Sequence, residues 1–247
     1  MFRVTTAVAT AAADTLSSSM NYPAELSALT FSLHGAEIFR SAVSEHLTGL
    51  HTLTERLPQN HAGLRLHGIA DLRRYLAATG PIGRVATAIL GPDATAVRAI
   101  LFDKTDRTNW SLGWHQDRTI CVQRKVETEG FGPWTIKQGI LHVAPPFEVL
   151  AHMVTLRVHL DDVPATNAPL LIAPGSHRRG RMAIHEIDRV VRDCGTRACL
   201  AKAGDVWSYA TPILHASSAA IIPTRRRVIQ IDYSAKQLPG ELEWLGI

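Results

Sequence analysis

The sequence of 247 residues predicts a mainly β protein with flanking helices. Its expected core is a double-stranded β-helix, or jelly roll, with N-terminal helices packed on one sheet. Before about residue 90, apolar residues recur at spacings of three and four, as in amphipathic helices. After that point, short segments rich in β-branched and aromatic residues are separated by Gly, Pro, Asn and Asp, as in a sheet-built fold.

The chain length suits a single hydrophobic core, so we expect one domain over residues 21–247. Its helical part should span about 21–90 and its jelly-roll part about 91–247. Residues 1–20 combine an Ala/Thr run with Asp14 and few large aliphatic residues, which predicts a flexible tail rather than a signal peptide. Met20 could be the native start. The sequence contains no apolar stretch of the roughly 20 residues needed to cross a bilayer, so no membrane partner is expected.

The individual elements follow from these periodicities. Helices are expected within 24–57, 68–80 and 183–193. Strands are expected within 98–104, 110–117, 153–162, 169–177, 205–210, 213–218 and 226–233. The segment between Arg118 and Pro146 is long and marked by glycine and proline, which predicts a lid above the functional site.

An H-x-D motif, His115-Gln116-Asp117, lies in the predicted strand WSLGWHQD. Because side chains alternate along a strand, His115 and Asp117 point to the same face and Gln116 points away. With a third ligand, they would form the two-histidine, one-carboxylate set that binds non-haem Fe(II) and leaves coordination positions open. His215 is the best candidate for that ligand. We therefore predict a catalytic metal centre made by His115, Asp117 and His215.

A second H-x-D, His159-Leu160-Asp161, ends the apolar run MVTLRVHLDD. A short motif of this kind is weak evidence without its structural context. The first copy is favoured because one strand can precede it and several strand-like segments lie between it and His215. His142 is a less favoured fourth ligand, and His152 and His159 are expected to be satisfied core or interface residues.

Arg226 lies in the predicted strand RRVIQIDY, on the same face as Gln230. An arginine that faces the inside of a sheet-built fold is costly unless it meets an anion. A carboxylate would match its planar fork, and Ser217, on the same face as His215, could add a hydroxyl. The alternative is that residues 225–227 form an ordinary solvated basic cluster.

The segments WHQDRTI, VTLRVHLDDV, APLLIAPGSH, GDVWSYATPILHASS and RRVIQIDY resemble small bacterial members of the phytanoyl-CoA dioxygenase (PhyH) family. The resemblance covers roughly Leu101 to the C-terminus. It implies that His115, Asp117 and His215 bind Fe(II), and that Arg226 binds 2-oxoglutarate. It also implies that Ser217 touches the 2-oxoglutarate carboxylate remote from the metal.

Two further residues bear on this resemblance. Asn109 is another candidate contact to 2-oxoglutarate, with a simple turn residue as the alternative. Ala168 is a departure, because relatives usually have Asn-Gly-Pro-Leu where this chain has Asn-Ala-Pro-Leu. If the turn needs a positive φ angle, Ala168 would strain it.

Composition restricts the partners and the compartment. Cys121, Cys194 and Cys199 are odd in number and lack C-x-x-C spacing, which favours a reducing cytoplasm that would also protect a ferrous site. The formal net charge is +4, and the basic runs are not interleaved with aromatic residues, so no nucleic-acid partner is expected. A monomer or a homodimer is expected, since a jelly roll can expose an edge strand.

These observations predict a dioxygenase that uses Fe(II), 2-oxoglutarate and O2 and hydroxylates an unactivated C–H bond of a small molecule, releasing succinate and CO2. Desaturation or ring formation stays open. Two alternatives also stay open: a cupin-like isomerase or hydrolase that binds Mn, Ni or Zn without 2-oxoglutarate, and a non-catalytic binding protein on the same fold. The prime substrate is not indicated, because a fold and its site residues do not define it.

Overall fold

The computed structural model describes residues 28–58 and 63–247. Within them the α-helices are α1 (Phe31–His34), α2 (Leu47–Glu55), α3 (Ala70–Leu76), α4 (Gly83–Leu90), α5 (Phe147–Ala151) and α6 (Ile187–Cys194). The strands are β1 (Ala36–Phe39), β2 (Leu64–Arg65), β3 (Thr95–Lys104), β4 (Leu112–His115), β5 (Ile120–Cys121), β6 (Trp134–Lys137), β7 (Ile140–Val143), β8 (Met153–His159), β9 (Leu170–Ile172), β10 (Arg197–Cys199), β11 (Val206–Ala210), β12 (His215–Ser217) and β13 (Arg226–Ser234). The tail predicted for residues 1–20 lies outside the described residues. None of the helices in the described ranges has the length and apolar character that crossing a membrane requires.

The strands form three antiparallel sheets. The largest has the order β1-β11-β8-β13-β3-β2, the second β10-β9-β12-β4, and the third β5-β7-β6. Trp207 and Tyr209 of β11 pack against Leu170 and Ile172 of β9, so the first two sheets enclose a shared apolar core. The predicted jelly roll is therefore confirmed.

Strand β13 divides its side chains between two environments. Ile229, Ile231 and Tyr233 point away from the space between the sheets and are buried in one apolar cluster with helices α2, α3 and α4. Burial of each such side chain contributes about 1.5–3 kcal/mol to stability. Arg226 and Gln230, on the opposite face, line a cavity between the sheets. The helical layer thus covers one face of the large sheet and leaves the other face to the functional site.

The part before residue 90 differs from the prediction because it is not purely helical. Gly35 has φ 70° at the end of α1, a conformation that ends the helix at little cost for glycine. The chain then continues as β1, which pairs with β11, while β2 pairs with β3 at the opposite edge of the same sheet. The helical spacing in the sequence did not reveal these short edge strands, because each is only four residues or two residues long.

The segment 118–146 also differs from an irregular lid, because it forms the third sheet. Gln138 and Gly139 both have positive φ angles, 51° and 76°, and join β6 to β7 in a tight hairpin. Ile120, Phe131 and Val143 anchor this sheet in an apolar cluster of its own. The segment is therefore an ordered wall whose residues Lys137 and His142 face the cavity.

Candidate active site

Strand pairing brings the three predicted metal ligands together. β12 runs antiparallel to β4, and His215 is the direct register partner of His115. Their rings lie 4.3 Å apart between centroids. One ligand atom each from His115, Asp117 and His215 can be chosen so that all three lie within 4.8 Å of one another, a grouping found for no other set of the described residues. Two imidazole nitrogens with one carboxylate oxygen are the donor set of non-haem Fe(II), so the residues fit this metal.

Both imidazoles are oriented by backbone carbonyl groups. Nδ1 of His115 donates to the carbonyl oxygen of Gly113 at 2.8 Å, and Nδ1 of His215 donates to that of Ile213 at 3.0 Å. These bonds leave the Nε2 atom of each ring free to bind a metal. Burial lowers the pKa of His215 to about 4, which keeps this ring neutral at physiological pH, as a metal ligand must be.

Asp117 belongs to a buried charge network. Arg98 lies with Nη2 3.5 Å from Asp117, and its Nε donates to Asp232. Burial alone would raise the pKa of Asp117, but the opposing effects, of which the charge of Arg98 is the largest, hold the pKa below its usual value. The carboxylate is therefore ionised and available to a cation.

Gln116, between the two ligands of the H-x-D motif, points away from the metal site and is nearly fully buried. Its Nε2 donates to the carbonyl oxygens of Pro212 at 2.9 Å and Gly180 at 3.0 Å, and its Oε1 accepts from the backbone N–H of Met182 at 3.0 Å. Pro212 directly precedes the segment that carries His215. A single side chain thus links the chain segments on which all three ligands lie.

We expect Gln116→Ala to lower metal affinity by about 10- to 100-fold, as is usual when a group that orients metal ligands is removed. The melting temperature should also fall, because three backbone groups lose a partner, two of them in the buried residues Met182 and Pro212. Gln123→Ala is the matched control, since Gln123 is exposed and donates to a single carbonyl oxygen, that of Trp244. Isothermal titration with Co(II) measures the affinity. Equal affinity in Gln116→Ala and the wild type would contradict this role.

The ligand group opens into a cavity of about 650 Å³ between the sheets, and Arg226 lies in its wall. Arg226 is 3% exposed, and its Nη1 donates to the carbonyl oxygen of Ala168. Its Nε has no hydrogen-bond partner, and no carboxylate pairs with it among the described residues. Burial, with the nearby charge of Arg157, lowers the pKa of Arg226 to about 9. A buried guanidinium with an open donor fits the carboxylate of 2-oxoglutarate.

Residues 225–227 are not simply a solvated basic cluster, because Arg226 and Arg227 are buried and only Arg225 is exposed. Arg225 pairs with Asp103 at 2.9 Å, and Arg227 lies on the other face of the strand, paired with Asp161 at 2.8 Å. Ala168, which stands where relatives usually have glycine, has a φ angle of 48°. An L-residue therefore occupies a backbone conformation that favours glycine. Its carbonyl oxygen nevertheless contacts Arg226, which links this turn to the cavity.

Lys104 and Arg157 also lie in the cavity wall, and the sequence analysis did not identify them as site residues. Lys104 is the register partner of Arg226, and its Nζ lies 3.2 Å from Oγ of Ser217. Burial, followed by the charges of Arg226 and Arg157, lowers the pKa of Lys104 to about 8. Arg157 is 6% exposed and donates to Oε1 of Gln230 at 2.8 Å. A partial signal existed in the sequence, because Lys104 shares a strand face with Phe102 and Ile100, whereas Arg157 shares one with the polar residues Thr155 and His159.

Asn109 is placed differently from its predicted role and is not among the residues that line the cavity. Its Oδ1 accepts from the backbone N–H of Ala220 at 2.6 Å, and its Nδ2 donates to the carbonyl oxygen of the same residue at 3.1 Å. Both ends of the amide are therefore occupied. The geometry gives no support to the predicted contact with 2-oxoglutarate, which stays a prediction, and the turn-residue alternative describes the position of Asn109 better.

The remaining histidines are outside the metal group. His159 of the second H-x-D is buried, but neither ring nitrogen has a hydrogen-bond partner, so it is not the satisfied core residue expected. Asp161, the carboxylate of the same motif, accepts a hydrogen bond from Arg227 instead. His142 is 1% exposed and lines the cavity, whereas His152 ends α5 at the surface, near Glu148.

Comparison with known proteins agrees with this architecture. The family model described as Phytanoyl-CoA dioxygenase (PhyH) matches residues 51–228. EctD from S. alaskensis in its apoform has 18% sequence identity and a TM-score of 0.61, over 88% of this chain and 78% of that chain. HygX from Streptomyces hygroscopicus with nickel and 2-oxoglutarate bound has 15% identity and a TM-score of 0.56, over 84% of this chain and 87% of that chain. SnoN, an alpha ketoglutarate dependent epimerase from nogalamycin biosynthesis, has 15% identity and a TM-score of 0.56, over 85% of this chain and 87% of that chain.

At these identities, the solved structures show that the fold is shared. EctD was also crystallised with 2-oxoglutarate and 5-hydroxyectoine, and HygX with nickel, 2-oxoglutarate and hygromycin B. A comparison with curated protein sequences finds no match.

Proposed function

The chain belongs to the phytanoyl-CoA dioxygenase (PhyH) family, which uses Fe(II) and 2-oxoglutarate, and we propose that it hydroxylates an unactivated C–H bond of a small molecule. One observation carries the proposal: the group His115, Asp117 and His215 opens into the same cavity as Arg226, a buried guanidinium without an acidic partner among the described residues.

In this proposal, His115, Asp117 and His215 hold the metal and leave three coordination positions for ligands. Fe(II) with 2-oxoglutarate and O2 supplies the oxidative decarboxylation that releases succinate and CO2 and introduces one oxygen atom into the substrate. The ionised Asp117 occupies a position that a halogenating enzyme would leave to chloride, which favours hydroxylation. The chain itself supplies ligands, orientation and a cavity that limits access of water.

The far carboxylate of 2-oxoglutarate is assigned to Arg226, with Ser217 and Lys104 beside it. Arg226 offers a planar donor fork for this carboxylate, and the Lys104 ammonium lies 3.2 Å from the Ser217 hydroxyl. A bound anion would stabilise the protonated form of Lys104, whose pKa of about 8 leaves it mainly charged at neutral pH. The same subsite argues against a metal-dependent isomerase without 2-oxoglutarate, because that reaction does not require a buried guanidinium near the metal.

We also propose that the enzyme works in the cytoplasm on a small-molecule substrate, since Cys121, Cys194 and Cys199 are free thiols. Its division into a single domain over 21–247 and its state as a monomer or homodimer stay predictions.

The direct test is succinate formation from 2-oxoglutarate with Fe(II) in air. We expect the wild-type protein to form succinate slowly even without its prime substrate, and His115→Ala to lose at least about 100-fold of this rate, because one of three ligands is removed. Wild-type protein that forms no succinate, or equal rates in the two proteins, would contradict the proposed function.

A further inference from the structure

The cavity has a strong excess of positive charge. Asp117 is the single carboxylate among the lining residues that the structure describes. The lining residues with cationic side chains are Arg65, Arg98, Lys104, Arg118, Lys137, Arg157 and Arg226. Since buried charges are normally paired, the buried members Lys104, Arg157 and Arg226 indicate that the cavity receives negative charge from its ligands.

Part of the excess is already compensated. Arg98 is matched by the carboxylates of Asp232 and Asp117, whereas Arg118 only donates to the neutral carbonyl oxygen of Met182 at 2.7 Å. Arg226, Lys104 and Arg157 lie together at one end, where the proposed 2-oxoglutarate carboxylate binds. A ferrous ion adds further positive charge next to Asp117. In the opposite wall, Arg65 and Lys137 also have no acidic partner among the described residues.

This opposite wall is separate from the 2-oxoglutarate subsite. Arg65 is the register partner of Ile100 in β3, and Lys104 is the register partner of Arg226 four residues further along the same strand. At roughly 3.3 Å per residue, these two positions on β3 are about 13 Å apart. Lys137 and His142 enter the same wall from the adjacent strands β6 and β7.

Two polar atoms of this wall are buried without a partner. Nε of Arg65 and Nε2 of His142 have no hydrogen-bond partner in the described part of the chain. His142 is 1% exposed, and its Nδ1 is already bound to the carbonyl oxygen of Ile140 at 2.9 Å, so only Nε2 remains. A buried polar atom left unpaired is destabilising, and a polar ligand group that bonds to it would remove that cost.

We propose that the prime substrate is an amphipathic anion, a carboxylic acid or a phosphate monoester, whose charged group binds at Arg65, Lys137 and His142. The inference rests on the proposed function, because it assigns the opposite end of the cavity to 2-oxoglutarate. Ile100 and Phe102 lie on β3 between the two ends, and Trp114 also lines the cavity, so the substrate body is expected to be apolar. Lys137 is exposed at the mouth and meets the anion first.

The test uses probes that share a hexyl chain and differ in their end group: hexanoate, hexyl phosphate, hexanamide and hexylamine. Protein loaded with Ni(II) and saturating 2-oxoglutarate is titrated with each probe by isothermal calorimetry at low ionic strength. We expect at least one of the two anions to bind about 10-fold or more tightly than hexanamide, and hexylamine to bind least. The ratio of hexyl phosphate to hexanoate affinity then distinguishes the phosphate from the carboxylate source.

Variants locate the binding site. Arg65→Gln and Lys137→Gln should each reduce the preference for the anion over hexanamide by about 3-fold or more, whereas Arg124→Gln should keep it. Arg124 is a suitable control because it is an exposed arginine paired with Glu241 at 3.1 Å and is not a lining residue. Lys137 is exposed, so its substitution leaves the fold intact even if Arg65→Gln is unstable.

Equal affinity for hexanoate, hexyl phosphate and hexanamide would overturn the inference, as would an anion preference that survives in both variants. These outcomes are distinct from failure of the proposed function, which would appear as wild-type protein that binds no 2-oxoglutarate before any probe is added.

Discussion

Arg226→Gln is expected to weaken 2-oxoglutarate binding by at least about 30-fold. Arg226 is buried, and its guanidinium has no carboxylate partner among the described residues. The carboxylate of bound 2-oxoglutarate would supply that partner. Removing one partner of a buried charged hydrogen bond costs about 2–5 kcal/mol. At about 1.4 kcal/mol per tenfold, that cost corresponds to roughly 30- to 4,000-fold in Kd. Calorimetric titration of the Ni(II)-loaded protein with 2-oxoglutarate measures it.

Arg227→Gln is the matched control for this variant. Arg227 is the next residue of β13, but it lies on the other face and pairs with Asp161 at 2.8 Å. Its loss should lower the melting temperature, since Asp161 loses its partner, and leave the affinity for 2-oxoglutarate as in the wild type. If Arg226→Gln keeps wild-type affinity, or if both variants lose it equally, Arg226 does not bind the cosubstrate.

His215→Ala is expected to lower the affinity for Fe(II) by more than about 100-fold. Loss of groups that merely orient metal ligands costs 10- to 100-fold, and His215 is itself assigned as one of three ligands. Succinate formation should fall with metal occupancy. Anaerobic titration with Fe(II), together with circular dichroism to verify the fold, measures the effect.

His152→Ala controls for weak metal binding to surface histidines. His152 lies near Glu148 at the end of α5 and is not part of the ligand group. The His152→Ala variant should bind Fe(II) with the same affinity as the wild type. If His215→Ala retains wild-type metal affinity, the metal site assigned to His115, Asp117 and His215 is wrong.

Local periodicity was sufficient for the large elements of the fold. The alternation in RRVIQIDY assigned Arg226 and Ile229 to opposite faces of one strand, and the structure has Arg226 in the cavity and Ile229 in the core beneath the helices. The strands that carry His115 and His215 were likewise predicted from short apolar segments. By contrast, β1 and β2 were missed, because edge strands of four and two residues give no resolvable periodicity.

Site residues were harder to predict where their role depends on a partner. Lys104 and Arg157 stand in predicted strands, but nothing local indicates that both reach the same cavity as Arg226. Gln116 was expected to point away from the metal, and only the structure identifies what it binds there. Asn109 is the opposite case, since its amide is occupied by the backbone of Ala220.

By itself, the sequence determined the fold class, the strand faces and the residue types able to hold iron and 2-oxoglutarate, because side-chain alternation and donor chemistry are local properties. The tertiary structure decided which residues meet. Antiparallel register sets His215 opposite His115 and Lys104 opposite Arg226. Register between distant strands arises from the packing of the whole core, which no short segment contains, and for this reason the excess positive charge of the cavity emerged only with the fold.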